Sequence, residues 1–431
     1  MGAGLTVDAG LIEQLFRVVT LRAGYNSAVV LIGTTLLGVA SGLVGSFLLL
    51  RRRSLTADAV SHATLPGVAG AFLISAMLGG GKSLAVLLFG AAVTALLGVL
   101  SIAWVLRHTR LREDAAIGIV LSVFFGAGVV LLSVVQNIGT GNAGGLSHFI
   151  YGQAAAMSRG DAVFMGTIAL VAACFVLIVM KEMSLVAFNE SFARVIGLRV
   201  SLLDGALLGL VIAVTVAGIQ AVGLILAVAM LIIPPAAARF WTDRLFVFVA
   251  LSGLIGGASA YLGVGISALS HDFPTGSVIV LTAGGIFALS LCLSPRRGVI
   301  AESVRRVRQR LTLLCDHVLE WVYTEGSGGA ARRGEVIERF GRLPIWLLRL
   351  GGRVRIERER VMLTERGRAE GARIARNHRL WEQYLVTYAD VAPTHVDWSV
   401  DQIEHVLSEE LVAELENALA SAGAKPKDGG A

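Results

Sequence analysis

The chain has 431 residues, of which 55% are hydrophobic and 16% charged, with a mean hydropathy of +0.73 and a formal net charge of +6. A soluble domain carries about 25% charged residues, so a wholly water-soluble protein is excluded and a bilayer must be the solvent for much of the chain. Residues 1–300 hold 17 basic and 11 acidic residues whereas the last 131 hold 20 of each, so the basic excess belongs to the apolar part and reads as membrane topology, not as affinity for nucleic acid.

In chain order, residues 1–24 read as a short amphipathic lead, and since the first Arg is Arg17 no cleavable leader is expected. A spanning helix needs about 20 mostly apolar residues. Nine windows fit: 27–50, 59–79, 83–106, 115–135, 162–180, 201–219, 221–238, 245–263 and 275–294. The sixth and seventh must turn near Gln220 almost without a loop, and Pro234-Pro235 is expected to stop the seventh. Gly81-Lys82-Ser83 ends like a phosphate-binding loop, but Ala76 stands where that loop needs its first glycine and no strand precedes it.

Basic clusters follow alternate spans: Arg51 to Arg53, then Arg107, Arg110 and Arg112, then Lys181, Arg194 and Arg199, then Arg239 and Arg244, then Arg296 and Arg297. The opposite loops are rich in Gly and poor in positive charge. Because cytoplasmic loops collect Lys and Arg, the N-terminus is predicted outside and residues 301–431 inside, in a multi-pass inner (cytoplasmic) membrane protein.

Asp58 and His62 sit within an apolar stretch, four residues apart and therefore on one helix face. The spacing admits two readings. One is a helix N-cap by Asp58 beside an interfacial His; the other is a carboxylate and imidazole pair suited to zinc, iron or manganese on an intramembrane pathway. His148, Asp161, His271 and Asp272 read as solvated loop residues, and Cys174, Cys292 and Cys315 lack CxxC spacing and read as inert packing residues.

From Ser303 the pattern becomes that of an amphipathic helix, with apolar residues at helical spacing among dense charge. Two short helices at 333–340 and 344–350 flank Gly341-Arg342, and the alternation over 353–363 predicts a two-stranded wing, a winged helix-turn-helix order. The segment from Gly341 to Gly351 would be the reading helix, but it offers only Arg342 and Arg349 to phosphates, so DNA is not an expected partner. Residues 422–431 read as disordered. The expected organisation is a lead at 1–24, a membrane domain at 25–300, an α+β winged-helix domain at 301–421 and a tail at 422–431.

The run from Arg51 through Asp58-Ala-Val-Ser-His62 to Pro66-Gly67 resembles the signature of the ABC permease family that imports manganese, zinc and iron. Phe149-Ile-Tyr-Gly152-Gln153, Phe188 to Leu198, Val222-Gly223, Ile233-Pro234-Pro235-Ala236 and Phe273-Pro274-Thr275-Gly276 resemble the same family, in order, over about 25–300. The resemblance implies an all-α permease of the type II importer kind. It also implies a second permease copy or paralogue, a separate ATP-binding subunit, an extracytoplasmic metal-binding protein and transported Mn2+, Zn2+ or Fe2+. It makes Asp58 and His62 pathway ligands. It makes the stretch carrying Phe188, Asn189, Glu190, Phe192, Ala193 and Gly197 a coupling helix, with Asn189 standing where an acidic residue is expected.

Residues 303–418 resemble iron- and manganese-dependent repressors of the diphtheria-toxin-repressor kind, through Leu363-Thr364-Glu365, Asn377-His378-Arg-Leu-Trp-Glu382 and Ile403-Glu404-His405. The resemblance implies a regulatory Mn2+ or Fe2+ held by His378, Glu382, Asp401, Glu404 and His405, with Asp316 a looser match and Asp397 where that family has His. The same residues also fit a domain that has kept the fold and lost the ion. Two other classes stay open on sequence: a proton-coupled secondary transporter, which needs no ATPase, and a membrane-tethered regulator, which needs sequence-specific DNA binding.

Overall fold

The computed structural model describes residues 25–78, 83–137, 157–269, 273–326 and 329–388, together with positions 412, 413 and 415. The chain divides into two compact units, Met1–Ala301 and Glu302–Ala431.

In the first unit, eight helices among the described residues are long and apolar enough to cross a membrane. They are α1 (Tyr25–Leu50), α2 (Ser54–Met77), α3 (Leu84–His108), α4 (Glu113–Asn137), α5 (Arg159–Phe188), α7 (Val200–Val222), α9 (Leu245–Ser267) and α10 (Thr275–Leu293). Two shorter helices interrupt the series: α6 (Glu190–Val195) and α8 (Leu224–Arg239).

The seventh predicted span is thus a 16-residue helix. The break before it falls at Gly223, with φ +90, and not at Gln220; that left-handed value is open to glycine without steric cost. Pro234 and Pro235 do not stop the helix either, since it runs through both to Arg239. What makes this tolerable is packing: a Cβ on Gly45 of α1 would lie 1.9 Å from the carbonyl oxygen of Leu231, the group whose helical donor Pro235 removes.

Lipid gives helices no hydrophobic reason to associate, so close backbone approach between small residues has to do it. Helix α1 is central. Gly38 and Gly256 oppose each other, and a Cβ on Gly42 would lie 2.1 Å from the oxygen of Ser252, so α1 and α9 meet backbone to backbone. Gly67 of α2 and Gly90 of α3 pair in the same way. Ser158 and Asp161 start α5 with a reciprocal capping box, the Asp161 N–H donating to Ser158 Oγ (3.2 Å) and the Ser158 N–H to Asp161 Oδ2 (2.8 Å), which accounts for Asp161. Of the three cysteines only Cys315 is buried; Cys174 and Cys292 are exposed on their helices, so the packing role expected of them does not hold.

The second unit has the order α11 (Val299–Thr324), β1 (Ala330–Arg332), α12 (Arg333–Phe340), α13 (Arg342–Leu350), β2 (Val354–Glu357), β3 (Arg360–Leu363) and α14 (Glu365–Tyr388). Strands β2 and β3 form the predicted wing, and β1 adds a third strand that the sequence pattern did not announce, giving the antiparallel order β1-β3-β2. The core gathers Val318, Leu319 and Val322 of α11 with Val336, Leu348 and Val361. Helix α14 closes on α11 at Gly371, where a Cβ would lie 3.0 Å from the Leu319 oxygen.

Candidate functional site

Helix α2 begins at Ser54 with Arg53 as its N-cap, which places Asp58 in the second turn and removes the N-cap reading of its carboxylate. Its Oδ1 lies 3.4 Å from His62 Nε2. The side chains are 36% and 23% exposed, so the pair is partly open at the surface of a helix otherwise buried on most of its length. The imidazole stands edge-on to Phe125 of α4, ring centroids 5.0 Å apart. Among the described residues His62 Nδ1 and the neighbouring Ser61 Oγ are buried without a hydrogen-bond partner. Pro66, one turn later, has no N–H to give the His62 carbonyl.

These facts describe unsatisfied donors around a carboxylate inside an apolar helix, an arrangement that is costly unless something polar visits it. A cation bonded to both groups at about 2.1 Å would subtend about 110° at the observed donor separation of 3.4 Å. That is a tetrahedral angle, and the pair can supply two ligands to a dication without rearrangement of the helix. Among the described residues no group of three or more His, Cys, Asp or Glu is placed to hold a metal, so Asp58 and His62 stand there as a pair.

The stretch from Phe188 to Leu198 resolves into the end of α5, a cap and α6. Phe188 closes α5; Asn189 caps α6, its Oδ1 accepting the Phe192 N–H at 2.9 Å. This explains Asn189, since an Asn is as good an N-cap as an acidic residue. Phe188, Phe192, Val195 and Ile196 are exposed and apolar, Ala193 is buried, and Gly197 ends the turn at φ +89. Glu190 pairs with Arg194 one turn on and with Arg51. The Arg194 hydrogen bond holds the Glu190 carboxyl below its ordinary range; burial opposes it, and the charge and hydrogen bond of Arg51 add to the lowering.

In the second unit His378 of α14 meets a residue that sequence spacing missed: its Nδ1 lies 3.0 Å from Glu320 Oε1 of α11. Asp316 and His317 lie one turn before Glu320 on the same helix. Asp316 alone was expected; Glu320, four residues later on the same face, is the carboxylate that the fold brings to His378. Glu382 belongs to α14. Asp397, Asp401, Glu404 and His405 lie outside the described residues, as do His148, His271 and Asp272. Cys315 is buried next to Asp316, and burial first, then that carboxylate, push its thiol up from the ordinary value.

Comparison with known proteins decides what this geometry belongs to. The family model described as the ABC 3 transport family matches residues 26–294. The chain belongs to that family. Within this ABC 3 protein the matched segment holds the whole series from α1 to α10, including Asp58, His62 and α6. Residues 364–429 match a second model, the metal binding and dimerisation domain of iron dependent repressors.

The chain is 38% identical over 381 residues to the manganese transport system membrane protein MntC of Bacillus subtilis, covering 86% of this chain and 87% of that protein. It is 43% identical to the zinc transport system membrane protein TroC of Treponema pallidum, covering 68% of this chain and 96% of that one. Among solved structures it is similar to PsaBC from Streptococcus pneumoniae in complex with Fab, at 30% identity and a TM-score of 0.57, over 70% of this chain and 99% of the other.

Proposed function

We propose that the chain is the membrane-spanning permease subunit of an ATP-driven importer for a divalent transition metal, manganese, zinc or iron, with hydrolysis carried out by a separate ATP-binding subunit. The observation that carries this is the Asp58 and His62 pair, donors 3.4 Å apart and partly open on α2 inside the family match. An incoming dication, stripped of part of its water, finds there a charged oxygen and a nitrogen of the hardness that manganese, iron and zinc accept.

The other parts follow from that role. The exposed apolar elbow at Phe188, Phe192, Val195 and Ile196 is the surface for the ATP-binding subunit, held in shape by the Asn189 cap and by Glu190. The basic clusters put that elbow and the C-terminal unit in the cytoplasm and the N-terminus outside, where a metal-binding protein delivers the ion. A second permease copy or paralogue completes the pathway. The C-terminal unit senses cytoplasmic Mn2+ or Fe2+ at His378 and Glu320, with Glu382, Asp401, Glu404 and His405 as further ligands, and throttles import.

The test is ATP-driven uptake of radiomanganese and radiozinc by the reconstituted transporter. Asp58→Ala and His62→Ala should abolish it with the protein recovered in normal amount; normal uptake by both variants refutes the site.

A further inference from the structure

Arg51, Arg52 and Arg53 count in the sequence as charges that fix topology, but a topological charge needs only water, and Arg51 is 6% exposed. Its Nη1 donates to the Val186 carbonyl at 3.0 Å, and its Nη2 reaches Glu190 Oε2 at 3.1 Å and Asp204 Oδ2 at 2.7 Å. One guanidinium therefore ties α1 to the end of α5, to α6 and to α7. Arg53 shares Asp204 Oδ2 at 3.1 Å and pairs with Glu113 Oε1 of α4 at 3.2 Å. With Arg194 on Glu190, three arginines and three carboxylates form one neutral cluster.

The turn between the two helices is stiff. The Arg53 N–H donates to the Leu48 carbonyl and the Arg52 N–H to that of Leu49, both at 3.0 Å, with Arg52 at φ 57. That is a Schellman closure of α1 in which a non-glycine residue occupies the left-handed position, a conformation that persists only where the surroundings enforce it. Helix α2 starts at the next residue after Arg53, and Asp58 follows in its second turn. A displacement of α6 is thus connected through Arg51 and Arg53 to the N-terminal end of the helix that carries Asp58 and His62.

The cluster also has atoms to spare. Arg51 Nε and Asp204 Oδ1 are buried without a hydrogen-bond partner among the described residues. A cluster serving only to hold helices together is expected to use its buried donors and acceptors. A spare donor and a spare acceptor within one cluster allow a second pairing when the helices shift, as a two-state element requires.

We propose that Arg51 is a positioning residue for transport, which passes the movement of the α6 elbow to α2 and so to Asp58 and His62. The inference rests on the transport reading above and assigns it a relay. The experiment measures radiomanganese uptake and ATP hydrolysis in the same proteoliposomes holding the complete transporter. For Arg51→Gln, uptake should fall about tenfold or more while hydrolysis stays within about twofold of the unaltered protein. Arg51→Lys, which keeps a charge toward Asp204, should recover a large part of the uptake. Asp204→Asn is the second variant: it leaves Arg51 paired with Glu190, spares the fold if Arg51→Gln does not, and should show the same split. Uptake and hydrolysis falling in proportion, or uptake unchanged in both variants, overturns the relay and leaves Arg51 a structural residue. Absence of ATP-driven uptake in the unaltered transporter would sink the transport reading itself, and the relay with it.

Discussion

Each unit brings a carboxylate to an imidazole, and the two do so by different means. Asp58 and His62 lie one turn apart on α2, 3.4 Å between donors, so any conformation in which α2 is helical makes the pair. His378 and Glu320 come from α14 and α11 and meet at 3.0 Å only because those helices pack. The first pair is a property of a helix and can be moved as a rigid piece, which suits a site that must face two sides in turn. The second is a property of a fold, and its strength reports whether α11 and α14 stay closed on each other.

The largest expected contrast is functional. Asp58→Ala or His62→Ala should lower metal uptake by about 100-fold or more, whereas Glu320→Ala or His378→Ala should leave uptake at low metal within about twofold and change only its decline as internal metal rises. Uptake assays at two internal manganese concentrations distinguish the pairs; equal losses at both sites would break the comparison.

A smaller effect tests how each pair is held. Gly67→Leu on α2 must push a side chain into the Gly90 carbonyl, where even a Cβ would lie at 2.1 Å. Overpacking of that kind costs about 1–3 kcal/mol, and it should lower the thermal midpoint of the purified protein and reduce uptake with Asp58 and His62 intact. Gly371→Ala on α14, with its Cβ at 3.0 Å from the Leu319 oxygen, should cost less and leave uptake at low metal unchanged. A circular-dichroism melt of both variants orders them; a larger shift for Gly371→Ala would contradict the packing account.

The smallest effect lies beside Glu320. Burial and Asp316 together raise the Cys315 thiol, so Asp316→Asn removes only the lesser cause and should speed maleimide labelling of Cys315 by less than about tenfold. With Cys174 and Cys292 replaced by Ser, urea should accelerate labelling far more, because it removes the burial. Equal acceleration by the two treatments would mean that the carboxylate, not the packing, protects the thiol.

What the sequence made legible was whatever a single helix decides. Of the nine spans predicted from apolar length, eight coincide with long apolar helices among the described residues, and the four-residue spacing of Asp58 and His62 is enough on its own to put them on a common helix face. The wing followed from alternation over 353–363. What stayed hidden depended on partners distant in sequence. The seventh span looks long enough by composition, yet Gly223 breaks its start, and its prolines are tolerated because glycine-bearing α1 packs against them. Glu320 is one of many charges on α11 until α14 places His378 beside it. Arg51 looks like a surface charge until Val186, Glu190 and Asp204 close around it. The cap explains Asn189, but only once the start of α6 is fixed.

The central claim is that the cargo ion is ligated by α2. Electron spin echo spectroscopy of Mn2+ bound to the full-length protein tests it, in a background with His317, His378, His395 and His405 replaced by Ala, which removes the imidazoles of the C-terminal unit. The account predicts nitrogen modulation on bound Mn2+ that disappears in His62→Ala and weakened binding in Asp58→Ala. The same nitrogen modulation persisting without His62 would contradict it.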